Sequence, residues 1–244
     1  MRLEVLNRRD HADLRIDPAR ALAHAARVHL VPLVHSEIRR IAAEFPVFLA
    51  KDGETGQFYP AALLGLAPGE NLFWDGTRFD AEALPLNLLR LPFFITGDQN
   101  AARTVCVDAE SPALVATGGQ AIVEPDGSDT PYMRSIQAIL QQLVDDHPLT
   151  RSLVDTLVAH RAVMPAQLDL TFADGSTARL EGLYTIDERV LERAGGALAD
   201  ALGGVAGLLP VLAMVLSGDR LRALVRRKNA RLAQEAQWFA GATA

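Results

Sequence analysis

A single cysteine, Cys106, stands in the 244 residues, so the chain cannot close a disulfide on itself. That scarcity fits a reducing compartment, and a cytoplasmic location is the expectation. The opening stretch MRLEVLNRRDHADLRID carries charge throughout and lacks the apolar core of a secretory signal. Long hydrophobic runs are missing too. The longest uncharged run, Ala201 to Gly218, is interrupted by glycines and Pro210 and is short for a bilayer-spanning helix, so no transmembrane span is expected. Positive charge is in deficit: the net charge of −6 argues against a nucleic-acid partner. No nucleophile elbow, P-loop or dinucleotide glycine pattern is present. The GGVAG stretch (203–207) follows a helical segment rather than a strand, which suits close helix packing.

What is present is a folding composition. Hydrophobic residues make up 49% and charged residues 22%, which excludes disorder and supports a buried core. Asp17 followed by Pro18 predicts a helix start, and Ile38, Ile41, Ala42 and Phe45 share a helical face behind Ser36 as a cap. The loop KDGETG predicts a hairpin between 45–50 and 57–66, with Pro60 placing the second strand on an edge or starting it later. Further strands are expected at 71–74, 92–96 and 104–108, a strand and turn at 120–127, and a short helix at 81–91. A helix carrying Ile136, Ile139, Leu140 and Leu143 stops at Pro148, and a second presents Leu149, Leu153, Leu157 and Val158. The strands 168–172 and 178–186 flank the turn ADGST, and Asp187 caps a helix reaching about Leu202. These elements, with no linker or repeat between them, predict a single α+β domain over 1–244. Its sheet is mixed or antiparallel, its hairpins pack on helices, and its C-terminal third is helical.

Several segments also carry a likeness. VPLVHSEI (31–38), FPVFL (45–49), YPAALLGLAPGENLF (59–73), RLPFFI (90–95), CVDAESPAL (106–114), LEGLYTIDE (180–188) and SGDRLRAL (217–224) resemble the bacterial SapC family, in that family's order. Leu89 departs from it, standing where members often carry a bulky aromatic. The family's name comes from a gene associated with surface-layer protein production, and its members often lie beside genes for nutrient uptake and protein modification. The resemblance therefore implies a non-catalytic binding or accessory protein in such pathways, acting on a peptide or protein partner and needing no cofactor.

Polar residues that punctuate the apolar runs are the candidate ligand-binding set: Glu70, Asn71, Trp74, Arg90, Asp108, Glu110, Asp187 and Glu188. Strand ends and loops are where a rigid scaffold presents binding groups, and an arginine with acidic neighbours makes an anion clamp. The competing expectation is structural: Asp187 as a helix cap, Asn71 holding a turn, and Arg90 ion-paired. An enzymatic alternative is a non-haem Fe(II) oxygenase acting on a peptide or protein side chain. His11 and Asp13 form an H-x-D pair for it, with His147 or His160 as the distal ligand. Cys106, between valines, reads as a buried small hydrophobe rather than a nucleophile.

The last segment, about 218–240, predicts a basic amphipathic helix. Arg220, Arg222, Arg226, Arg227, Lys228 and Arg231 lie opposite Leu221, Leu224, Val225 and Leu232, with Trp238 and Phe239 trailing. It either packs on the domain with a solvated basic face or docks an acidic partner or an anionic membrane surface.

Overall fold

The computed structural model describes residues 1–97 and 103–242. The chain opens with short strands β1 (Leu3–Val5) and β2 (Arg15–Ile16) and then helix α1 (Pro18–Ala23). Asp17 caps α1 by accepting from the backbone of Ala19 and Arg20, and Pro18 fills the first position, where no donor is needed. Strand β3 (Leu30–Pro32) leads through a 3-10 turn into α2 (Ile38–Ile41). Ile38, Ile41, Ala42 and Phe45 are all buried, so the expected face is the real one. The cap is different from expectation. Glu37, rather than Ser36, binds the Val34 amide, while Ser36 turns its hydroxyl to Asp146.

Strands β4 (Val47–Lys51) and β5 (Phe58–Leu63) form the predicted hairpin. Pro60, however, sits inside β5, which lies between β4 and β3 rather than on an edge. The Pro60 carbonyl accepts from Leu33, just past the end of β3, at 2.8 Å. In an antiparallel ladder a residue's donor and acceptor point the same way, so the donor that proline lacks would face the place where β3 has already left the sheet. Residues 71–74 form no strand; one bridge joins Trp74 to Phe79, because the side chain and backbone of Asn71 are committed to a turn.

Helix α3 (Leu86–Leu89) precedes β6 (Phe93–Thr96) and β7 (Thr104–Asp108), and β8 (Leu114–Val115) and β9 (Gln120–Ala121) flank β2. Next comes α4 (Pro131–Ala159), a helix of 29 residues that passes through Pro148 unbroken. The expected stop is overridden by anchors on the following turn: the Thr150 hydroxyl donates to the Asp146 carbonyl and accepts from the His35 amide. The buried stripe consequently runs through Asp146, Thr150, Leu153, Val154 and Leu157, leaving Leu149 and Val158 exposed.

After α4 come β10 (Val163–Pro165), β11 (Leu168–Thr171), β12 (Thr177–Leu180) and β13 (Leu183–Ile186). The expected strand 178–186 is thus two, split at Gly182, whose positive φ of 75° turns the chain. β12 pairs with β11, whereas β13 joins the main sheet beside β4. Helices α5 (Glu188–Ala201), α6 (Val205–Ser217) and α7 (Arg220–Ala242) complete an α+β architecture. Among the described residues no helix is long and apolar enough to cross a membrane.

Every pairing is antiparallel, in sheets ordered β10-β13-β4-β5-β3, β1-β7-β6, β8-β2-β9 and β11-β12. Two apolar clusters result. The larger joins the five-stranded sheet to α2, α6, α7 and the C-terminal half of α4; the smaller holds Ile16, Phe93, Val107 and the N-terminal half of α4. Helix α4 therefore runs past both clusters, and its polar stretch around Asp146 lies between them.

Ser217, at the end of α6, is fully buried; its hydroxyl accepts from Val47 at 2.9 Å and donates to the Met214 carbonyl at 2.6 Å. Replacing it by alanine strands the Val47 donor. Ser217→Ala should therefore cost about 1–3 kcal/mol in urea unfolding, with an unchanged m-value.

Candidate functional site

The eight sequence-derived candidates fall into four places. Glu70, Asn71 and Trp74 lie beneath α7. The Lys228 ammonium binds the Glu70 carboxylate at 2.7 Å, and Arg231 donates to the carbonyls of Asn71 and Trp74 at 3.1 and 2.8 Å. The Asn71 side chain is buried, donating to the Ala25 carbonyl and accepting from the Phe73 amide. Glu70 closes its own loop through the Leu66 amide. This corner is a docking seam within the chain.

Asp108 and Glu110 meet the chain start. Asp108 accepts from the amides of Arg2 and Glu110, and Glu110 pairs with the terminal ammonium at 3.0 Å. Asp187 caps α5 and is bridged by Arg189, which holds its carboxyl below the usual carboxylate range; Glu188 is exposed in the first turn. The His11 ring contacts the Asn7 carbonyl and lies 3.8 Å from Glu4. His160 faces the Thr156 carbonyl at 2.9 Å. Among the described residues no group of three or more His, Cys, Asp or Glu side chains is gathered for a metal ion. Cys106 is buried, with its sulfur 3.3 Å from the Thr96 hydroxyl.

Arg90 is placed otherwise. It ends α3, its Nε donates to Asn87 at 2.9 Å and one terminal nitrogen donates to the Phe93 carbonyl at 2.8 Å, while the guanidinium lies over the Phe94 ring at 4.3 Å. The fork is thus held rigidly by its own neighbours. Burial pushes the guanidinium below its ordinary value, although an arginine stays charged throughout the working range. The expected ion pair is not made: among the described residues no carboxylate lies within salt-bridge distance of Arg90.

This arginine borders an open groove of about 850 Å³ between α3, β6 and α4, within the size range of small-ligand and peptide sites. One wall is the α4 stretch with Leu143, Val144 and His147, and another is Phe94 and Ile95 of β6. Arg103 adds a second positive charge, and Asp145 supplies the carboxylate on the rim. The groove opens where the two apolar clusters meet along α4. Sequence reasoning found Arg90 through the RLPFFI segment. It missed Leu143 and Val144 as groove residues, because a helix stripe does not reveal which of its members lack a covering partner.

No curated protein and no solved structure matches this sequence. The SapC family model matches residues 6–224, spanning every strand after β1, the groove and the start of α7. With that match extending over most of its length, the chain belongs to the SapC family.

Proposed function

We propose that the chain is a non-catalytic binding or accessory protein, and that it receives a peptide or protein partner in the groove between α3, β6 and α4. The observation carrying this reading is Arg90: an immobilised, partly buried guanidinium facing an apolar-walled groove, with no carboxylate partner among the described residues. A cation kept short of its counter-charge beside apolar walls suits a partner that brings an acidic group together with hydrophobic side chains. The surface-layer and nutrient-uptake associations of the family indicate where such partners should be sought.

The test is affinity capture with the products of genes adjacent to this one, purified individually. Arg90→Ala should reduce capture of the true partner by at least about tenfold, the worth of one charge-assisted bond. Trp74→Ala, in the α7 seam, should leave capture unchanged, with melting temperatures confirming that both variants fold. Equal capture by wild type and a folded Arg90→Ala protein would place the site elsewhere.

A further inference from the structure

The groove has one wall that a general binding surface would not need: the open edge of a sheet. β6 is the last strand in the order β1-β7-β6. The hydrogen-bond parity along β7 identifies which groups of β6 are spare. Val105 accepts from Leu6 and Ala109 donates to Arg2, so Val105, Val107 and Ala109 face β1. Asp108 donates to the Pro92 carbonyl, so the alternate residues Thr104, Cys106 and Asp108 face β6. With the pairs Phe94↔Cys106 and Thr96↔Thr104, the inward set on β6 is Pro92, Phe94 and Thr96. Phe93 and Ile95 therefore direct their backbone groups outward, away from β7. Those of Phe93 are taken, its amide by the Arg90 carbonyl and its carbonyl by the Arg90 guanidinium. Among the described residues the Ile95 pair remains without a partner, on the strand edge that borders the groove.

We infer that the partner enters as an extended segment that adds a strand to β6, bonding the Ile95 amide and carbonyl and setting a carboxylate on Arg90. The inference rests on the groove being the binding site and specifies the ligand class it takes. Three features support it together. A strand edge supplies main-chain donors and acceptors of fixed geometry, which is how extended peptides are read without regard to most of their sequence. α4 faces that edge with Leu143 and Val144, so alternate side chains of an added strand have an apolar wall to meet. At the N-terminal end of β6 the ladder is closed off by Arg90, which presents positive charge where the peptide must stop or turn aside. Charge complementarity selects the occupant: the groove carries Arg90 and Arg103 against Asp145. The carboxylate can come from an acidic side chain or from a chain end, and the two sources share the same chemistry at Arg90.

Random heptapeptides displayed on phage with free C-termini, and selected against the full chain, supply the probe, with binders resynthesised and measured by fluorescence anisotropy. Selected peptides should alternate apolar positions and carry a carboxylate. Amidating the C-terminus should weaken them at least about tenfold if the chain end is used, and replacing the acidic side chain by its amide should do so if the side chain is used. N-methylation of the peptide amide that faces Ile95 should lower affinity by a similar factor while leaving every side chain in place. On the protein, Ile95→Pro removes the outward donor without touching the β6–β7 ladder; Ile95→Ala removes the same side-chain packing and keeps the donor. Affinity should fall at least about tenfold from the alanine to the proline variant, and the Ile95 amide should gain protection from hydrogen exchange in the complex. Peptides that need Arg90 but tolerate N-methylation at every position, with Ile95 unprotected, would overturn strand addition and leave the groove reading standing. Selection that yields no peptide dependent on Arg90 would overturn both.

Discussion

Removing three of the basic side chains of α7 should unfold much of the larger cluster, whereas removing two others should do almost nothing. In the triple variant Arg227→Ala, Lys228→Ala, Arg231→Ala, the first change removes a guanidinium lying 4.4 Å over the Phe73 ring and bonded to Asp80 at 2.7 Å. The second strands the Glu70 carboxylate, which is only 12% exposed and keeps a single bond, from Leu66. The third frees two backbone carbonyls, of Asn71 and Trp74. Charge-assisted bonds of this kind are worth about 1.5–3 kcal/mol each. The Arg227–Asp80 pair is wetter and is discounted for screening. The expected loss is on the order of 4–6 kcal/mol in chemical unfolding, larger than the hydrophobic contribution of any single leucine on the same helix. Arg222 and Arg226 are exposed, and Arg222→Ala, Arg226→Ala should stay within about 0.5 kcal/mol of wild type. Equal, small losses in both variants would show that α7 is held by its apolar side alone.

That contrast also marks where the sequence could be read and where it could not. Local chemistry was legible: Asp17 and Asp187 cap the helices they were expected to cap, KDGETG turns the chain, and the α+β class follows from elements whose periodicity is internal to them. Three of the failures share one cause, a partner remote in the chain. Pro148 looks like a stop because the sequence cannot show His35 and Ser36 bracing the turns on either side of it. The cationic residues of α7 look like one solvated face because their partners Glu70, Asn71, Trp74 and Asp80 lie some 150 residues earlier. Pro60 looks like an edge marker because only the sheet order shows where β3 ends. The candidate site followed the same rule. Of the polar residues at strand ends, Asp108, Glu110 and Asp187 are used up by partners within the fold, whereas Arg90 meets no carboxylate among the described residues.

Glu37 ties the position of Arg90 to the stability of the whole. It is 3% exposed; one carboxylate oxygen accepts from Val34 at 3.1 Å and the other from Leu86 at 2.8 Å. Leu86 is the first residue of α3 and Arg90 its last boundary, so this one side chain fixes how α3 sits against α2 and where the guanidinium is presented. Glu37→Ala leaves two buried amides without acceptors and should cost about 3–5 kcal/mol. Glu37→Gln keeps the shape but turns an NH2 toward one of those amides, for a smaller cost of about 1–3 kcal/mol. The pH dependence has a defined sign. Desolvation outweighs the two amide bonds and holds the carboxyl above its ordinary value of 4.5. A carboxyl whose folded pKa is raised binds more protons folded than unfolded, so its contribution to stability falls as pH rises from 4.5 through the folded value and is level beyond it. The difference in unfolding free energy between wild type and Glu37→Gln, measured by urea titration, should therefore be greatest near pH 4.5 and narrow on going to pH 7. A gap that stays constant across that range would mean the carboxylate is as well solvated in the fold as in the open chain. A gap that widens would mean its two amide bonds outweigh its burial, and Glu37 would then hold α3 as a favourably ionised anchor instead of a desolvated one.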